Sequence, residues 1–153
     1  MLLSIFCALG LSLFPICVEC LDHSKKLSRI EIGIILSVPT EACHATVEKG
    51  DEVSVTFVGR LLKDNTTFAS NADQSRFTFK VGAGTVIEGW DKGILGYVAT
   101  VFFQMCVHEK RRIFIPGHLG YGALGRPPDV PGDADLVFDV VLLELVKAAK
   151  TGL

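Results

Sequence analysis

The chain has 153 residues, 49% of them apolar, and a formal charge of −2. That length points to one domain with enough apolar material for a core. The near-neutral balance excludes an extended nucleic-acid surface. No internal repeat, low-complexity tract or long charge run interrupts it.

The first residues stand apart. Leu2 to Val18 is an almost unbroken apolar run without charge, followed by Glu19, Asp22, Lys25 and Lys26. A secretory signal peptide over 1–20, cut after Cys20, explains this run, although the stretch before it carries no Lys or Arg. The competing reading is an uncleaved anchor, because the run approaches the roughly 20 residues that span a bilayer. Gly10 and Pro15 within it favour cleavage. Cys7, Cys17 and Cys20 leave with the leader, and Cys43 and Cys106 remain. An oxidising compartment pairs them, whereas a cytosolic chain keeps two separate buried thiols; the leader favours the pair.

The remainder reads as mostly β. Residues 28–36 alternate Ile30, Ile32, Ile34 and Leu36, a strand pattern. Residues 39–49 form a loop carrying Cys43. Residues 52–61 alternate Val53, Val55 and Phe57, then turn at Lys63, Asp64 and Asn65. Asn65-Thr66-Thr67 is an N-x-Thr sequon, which makes Asn65 a candidate glycosylation site. A polar connection over 70–76 leads to FTFKVGAGTVIEGWDKGIL, residues 77–95. Phe77, Phe79 and Val81 alternate as a half-buried strand, and Gly82 and Gly84 break it. Thr85 and Glu88 then form a Thr-x-x-Glu capping box that nominates Thr85 as a helix N-cap. Ile87, Trp90 and Ile94 share one face of the helix that follows. By pattern alone this is an ordinary amphipathic helix with the only tryptophan of the chain in the core.

Residues 97–104, YVATVFFQ, fit a solvent-exposed loop poorly. They suit a longer helix, an added short strand or an exposed flap. Residues 110–115 read as a strand ending at Pro116-Gly117, and 116–132 form a long Gly/Pro-rich loop. Residues 136–146 are apolar on both faces, as in a central strand. About five antiparallel strands and one short helix make the fold class α+β, with the helix packed across the sheet. The four histidines, His23, His44, His108 and His118, are scattered without metal-ligand spacing.

Several blocks together amount to a resemblance. VTFVGRL at 55–61, TVIEGWDKGILG at 85–96, MCVHEKRRIFIP at 105–116 and the run from His118 to Leu145 look like the FK506-binding-protein (FKBP) family of peptidyl-prolyl isomerases. They stand in family order and spacing apart from the inserted segment 97–104. The likeness is greatest to the secretory-pathway members, in which cysteines matching Cys43 and Cys106 form a disulfide. It implies an N-terminal strand and loop over 21–48, an isomerase domain over 49–148 and a tail over 149–153.

The resemblance also implies a site. Phe57, Phe68, Phe77, Val86, Ile87, Trp90, Tyr121 and Phe138 fall where the family lines its proline pocket. Trp90 matches the floor, Ile87 the residue whose backbone N–H holds a substrate carbonyl, and Tyr121 a hydroxyl donor. Phe79 matches the pocket edge, Val130 an apolar loop position, and Arg126 and Asp129 places that the family varies. Implied with these are X–Pro isomerisation without cofactor or metal, proline-containing polypeptide substrates and tacrolimus- or rapamycin-like macrolide ligands. A monomer in the ER lumen or secreted, free of the membrane once the leader is cut, completes the expectation. The chain departs from the family at four places. Phe57 stands for a frequent tyrosine, Ala69 for a nearly universal aspartate and His108 for a turn glycine, and 97–104 is inserted.

Overall fold

The computed structural model describes residues 26–73, 76–98, 101–102 and 104–149. The expected leader over 1–20 and most of the tail over 149–153 lie outside the described residues.

Six strands form one antiparallel sheet. They are β1 (Glu31–Leu36), β2 (Glu52–Leu61), β3 (Thr67–Ser70), β4 (Phe77–Lys80), β7 (Lys110–Ile115) and β8 (Leu136–Val146), ordered β1-β7-β8-β2-β3 with β4 also paired to β2. A two-residue pair, β5 (Tyr97–Val98) and β6 (Val101–Phe102), stands apart from it. β8 lies between β7 and β2, which explains its apolar residues on both faces. Leu136, Phe138, Val140 and Leu142 point into the main core, while Val137 joins Phe114 and Leu62 in a smaller cluster on the other face. On that outer face Asp139 accepts a bidentate pair of bonds from Arg112, at 2.6 and 2.9 Å, and one from Arg60 at 3.1 Å. Burial alone would raise the Asp139 pKa, but these bonds outweigh it and hold the carboxyl below the usual range.

Helix α1 (Glu88–Leu95) crosses the inner face. It lies close to β7 because Gly89 and Gly93, one turn apart, face Ile115 and Ile113; a Cβ on Gly93 would stand 2.6 Å from Ile113 Cδ1. Buried Trp90, Ile94 and Leu95 complete the contact.

The helix start corrects the capping expectation. The N-cap is Ile87, with no side-chain cap bond, and Thr85 remains in the loop. Two local bonds account for this. Asp91, in the first turn, accepts the Gly82 N–H at 2.8 Å and so ties the loop to the helix. Glu88 pairs with Lys92 one turn on, at 2.7 Å, instead of reaching back to close a capping box.

Of the three readings of the inserted segment, the structure takes the added short strand. Gly96 takes φ +70° and terminates α1 in a left-handed cap. The backbone then forms the β5–β6 pair, and the Met105 N–H returns to the Ile94 carbonyl at 3.2 Å. The segment is thus an excursion closed at its base. Removing 97–104 is expected to leave a folded chain with stability changed by less than about 1 kcal/mol, since loop length enters closure entropy only logarithmically. A deletion variant with no cooperative unfolding transition would overturn that.

Cys43 and Cys106 are bonded, with Cα atoms 5.7 Å apart and a sequence separation of 63. The bond fastens the loop after β1 to the turn before β7, beside the Val47 N–H bond to the Met105 carbonyl at 3.0 Å. In that turn His108 holds φ +72°, the left-handed backbone that the sequence led us to expect there. The double change Cys43→Ser with Cys106→Ser is expected to lower unfolding free energy by about 2–4 kcal/mol. An unshifted urea midpoint would refute this contribution.

Candidate active site

The site is an aromatic basin between α1 and the open end of the sheet. Trp90 forms its floor, 4% exposed. Around it stand the rings of Phe57 at 4.9 Å, Phe138 at 5.3 Å and Phe77 at 5.8 Å between centroids, all within 10° of perpendicular to the indole. Edge-to-face contacts of this kind hold each ring in one orientation. The indole Nε1 is the one buried side-chain polar atom without a conventional partner among the described residues.

Backbone features set these rings. Phe57 lies on β2, where Asn71 acts as a surrogate strand. Its Oδ1 accepts the Phe57 N–H at 2.6 Å and its Nδ2 donates to the Val55 carbonyl at 3.1 Å. Gly59 leaves the space that Phe138 and Phe68 fill, since a Cβ there would stand 2.5 Å from Phe138 Cε1 and 3.0 Å from Phe68 Cζ. Phe77 pairs across from Val55 and, as a residue, is 40% exposed. Val86 and Ile87 enter from the loop before α1. Among the described residues the Ile87 N–H has no hydrogen-bond partner, while its carbonyl accepts the Trp90 N–H at 2.9 Å. Tyr121 comes from the long loop, which folds into 3-10 turns at Gly117–Leu119 and Gly122–Leu124. Its hydroxyl accepts a bond from Arg126 Nη1 at 3.4 Å, leaving the hydroxyl proton free to donate.

The resulting cavity has a volume of about 450 Å³. Seven of the eight expected site residues line it: Phe57, Phe77, Val86, Ile87, Trp90, Tyr121 and Phe138. Phe68 stands one ring behind, 5.5 Å from Phe138 and 6.2 Å from Tyr121, and buttresses both. Phe79 is nearly buried and supports Trp90 from below, and Val130 is a core residue. Thr85, Ala69 and Arg126 complete the lining. Sequence reasoning assigned Thr85 to a cap and gave Gly59 and Asn71 no role. Only the Gly59 position inside a strand was a local signal, since glycine there often marks close approach of other groups.

An apolar basin with two rim donors, the Ile87 N–H and the Tyr121 hydroxyl, defines a protein that takes in an apolar ring and orients the carbonyls beside it. Residues 43–143 match the FKBP-type peptidyl-prolyl cis-trans isomerase family, and the chain belongs to that family. It is 44% identical over 125 residues to the peptidyl-prolyl cis-trans isomerase FPR2 of Saccharomyces cerevisiae, covering 81% of this chain and 87% of that protein. It is also similar to peptidyl-prolyl cis-trans isomerases named FKBP2. The mouse protein is 37% identical over 144 residues, 92% of this chain and 95% of that one. The human protein is 42% identical over 118 residues, 76% and 75% of the two chains.

Proposed function

We propose that the basin isomerises X–Pro bonds of polypeptides in the secretory pathway, at a lower rate than is usual for the family. The observation that carries this reading is the Trp90 floor enclosed by edge-on phenylalanines, with unengaged donors at the rim.

Rotation about an amide costs about 18–20 kcal/mol because it destroys resonance. Resonance also separates charge, so a dry apolar basin disfavours the planar amide relative to the twisted one. Trp90, Phe57, Phe77 and Phe138 supply that environment around the proline ring. The Ile87 N–H and the Tyr121 hydroxyl fix the flanking carbonyls, and Val86 and Phe68 hold the walls. Twisting a bond requires no nucleophile, base or metal from these residues.

The reduced rate follows from Ala69 and Phe57. The lining has neither the carboxylate nor the second hydroxyl that the family resemblance led us to expect, so fewer oriented dipoles act on the twisted amide. A protease-free assay on X–Pro peptides tests this. The native chain is expected to accelerate isomerisation, and Ala69→Asp with Phe57→Tyr to raise kcat/KM further. If neither chain exceeds background, the basin is a proline-binding module without turnover.

The leader over 1–20 and the bonded Cys43–Cys106 pair support the ER lumen or the extracellular space as its place of work. We read 21–48 as the N-terminal strand and loop, 49–148 as the isomerase domain and 149–153 as a tail. Macrolides of the tacrolimus and rapamycin type fit the same aromatic walls. Asn65, exposed at the β2–β3 turn with φ +61°, is open to glycosylation in that compartment. An unchanged gel mobility after endoglycosidase treatment would exclude it, and an N-terminus still at Met1 would exclude cleavage of the leader.

A further inference from the structure

We propose that Arg126 makes this site select an acidic residue immediately before the proline. The inference rests on the isomerase reading above for its kinetic form, but not for its binding form.

Arg126 is the only charged side chain among the cavity-lining residues, and the lining contains no carboxylate. Its guanidinium is held over the rim at two points. Nη1 is 3.4 Å from the Tyr121 hydroxyl oxygen, and the guanidinium carbon is 5.9 Å from the Tyr121 ring centroid. Its backbone is fixed as well. The Arg126 N–H donates to the Val130 carbonyl at 2.8 Å, and the Val130 N–H donates back at 2.9 Å. Val130, at 1% exposure, anchors that small loop in the core. Arg126 is thus an exposed cation steered over the rim by its two contacts with Tyr121 and by the fixed backbone of its loop.

No carboxylate neutralises it. Among the described residues Arg126 makes no ion pair, and Asp129 of the same loop is not paired with it. Three carboxylates elsewhere in the fold have partners of their own. Glu88 pairs with Lys92, Glu144 with Arg76, and Asp91 accepts the Gly82 N–H. A positive charge beside an apolar wall projects its field into the basin with less screening than on open surface. The Tyr121 hydroxyl that Arg126 touches is the donor to a substrate carbonyl. If that carbonyl belongs to the X–Pro bond, the side chain of X lies a few bonds away, within reach of the guanidinium. A glutamate at X gains the ion pair, a glutamine of the same shape does not, and a lysine is repelled.

Paired peptides differing only at X, Glu against Gln against Lys, test this in two assays. One is kcat/KM for isomerisation. The other is affinity, read from the fluorescence of Trp90, the only tryptophan in the chain and the floor of the site. At low salt the Glu peptide is expected to exceed its Gln counterpart by about twofold to fivefold, the range of an exposed ion pair, with Lys below both. The ratio should fall toward one near 1 M salt, where the screening length is about 3 Å. Arg126→Gln should abolish the ratio and Arg126→Lys should keep most of it, whatever either does to the overall rate. Ala69→Asp, which adds a carboxylate to the same cavity, should shrink it. Equal Glu and Gln values in both assays, or a preference that survives Arg126→Gln, would overturn the proposal. Absent turnover with an Arg126-dependent binding preference would remove the isomerase reading and leave this one standing.

Discussion

Trp90→Ala is expected to cost about 3–5 kcal/mol of folding stability and to lower kcat/KM on the order of a hundredfold. Both losses have one origin. The indole is 4% exposed and contacts Phe57, Phe77, Phe79 and Phe138 with centroids between 4.9 and 5.8 Å apart. Alanine leaves a void beneath four rings, three of which now stand edge-on to the indole. The rings then collapse into it or admit water, and either outcome removes the flat, dry floor on which a proline would sit. A stability loss of that size is a large part of the 5–15 kcal/mol typical of a domain. Trp90→Leu separates the effects, because it keeps apolar volume and so costs less stability while still removing the aromatic floor. Its urea midpoint should lie between those of the native chain and Trp90→Ala. Its kcat/KM should remain close to the alanine value. A folded Trp90→Leu protein with native turnover would show that the floor has no part in catalysis.

The second large effect lies behind the site. Arg111, 1% exposed by side chain, is bonded to the Glu109 carboxylate through Nε and to the Gly93 carbonyl through Nη1 at 3.1 Å. The other oxygen of Glu109 accepts the Cys106 N–H at 3.0 Å. One buried ion pair thus joins the C-terminal carbonyls of α1, the first residues of β7 and the disulfide-bearing turn. Arg111→Met is expected to destabilise the protein by about 3–5 kcal/mol, since it strands a buried carboxylate and leaves the Gly93 carbonyl with only the Gly96 N–H at 3.3 Å. Adding Glu109→Gln should recover part of the loss, because glutamine still accepts the Cys106 N–H and carries no charge. The coupling between the two changes should be about 1 kcal/mol or more in a double-mutant cycle read from urea midpoints. Additive effects would mean that the pair does not act as a unit. Losing the carbonyl anchor would also let the C-terminal end of α1 shift, so Trp90 fluorescence should move in Arg111→Met before global unfolding.

Much of this was legible in the chain. β2, β7 and β8 begin and end where the alternation of Val53 and Val55, the KRRIFI run and the two-faced apolar stretch said they should. The eight aromatic and aliphatic site positions were legible only as a resemblance, because each of them, taken singly, looks like core. Phe79 and Val130 are in fact core, while Phe57 and Phe77 share the same composition and open onto the cavity.

The misread cap has a physical cause. Thr85 and Glu88 satisfy a capping box on paper, but Glu88 pairs with Lys92 one turn along its own helix, and Asp91 takes the Gly82 N–H once the loop lies against that helix. The segment 97–104 left a longer helix, a short strand and a flap open, and the structure takes the strand: Gly96 ends α1 and the chain forms the β5–β6 pair before the Met105 N–H returns to the Ile94 carbonyl. By itself the sequence determined β2, β7 and β8, which faces of them are apolar and which family the motifs resemble, while β3 was not read as a strand and β1 begins at Glu31, three residues later than its alternation suggested. Only the tertiary structure decided that Gly59 makes room for Phe138, that Asn71 braces Phe57, that Arg111 lies buried under the helix end and that Arg126 overhangs the basin without a counter-charge. Periodicity records how each residue stands on its own element, set by local backbone geometry. What that residue meets is set by packing between elements far apart in sequence, and it is there that burial, ion pairing and cavity shape arise.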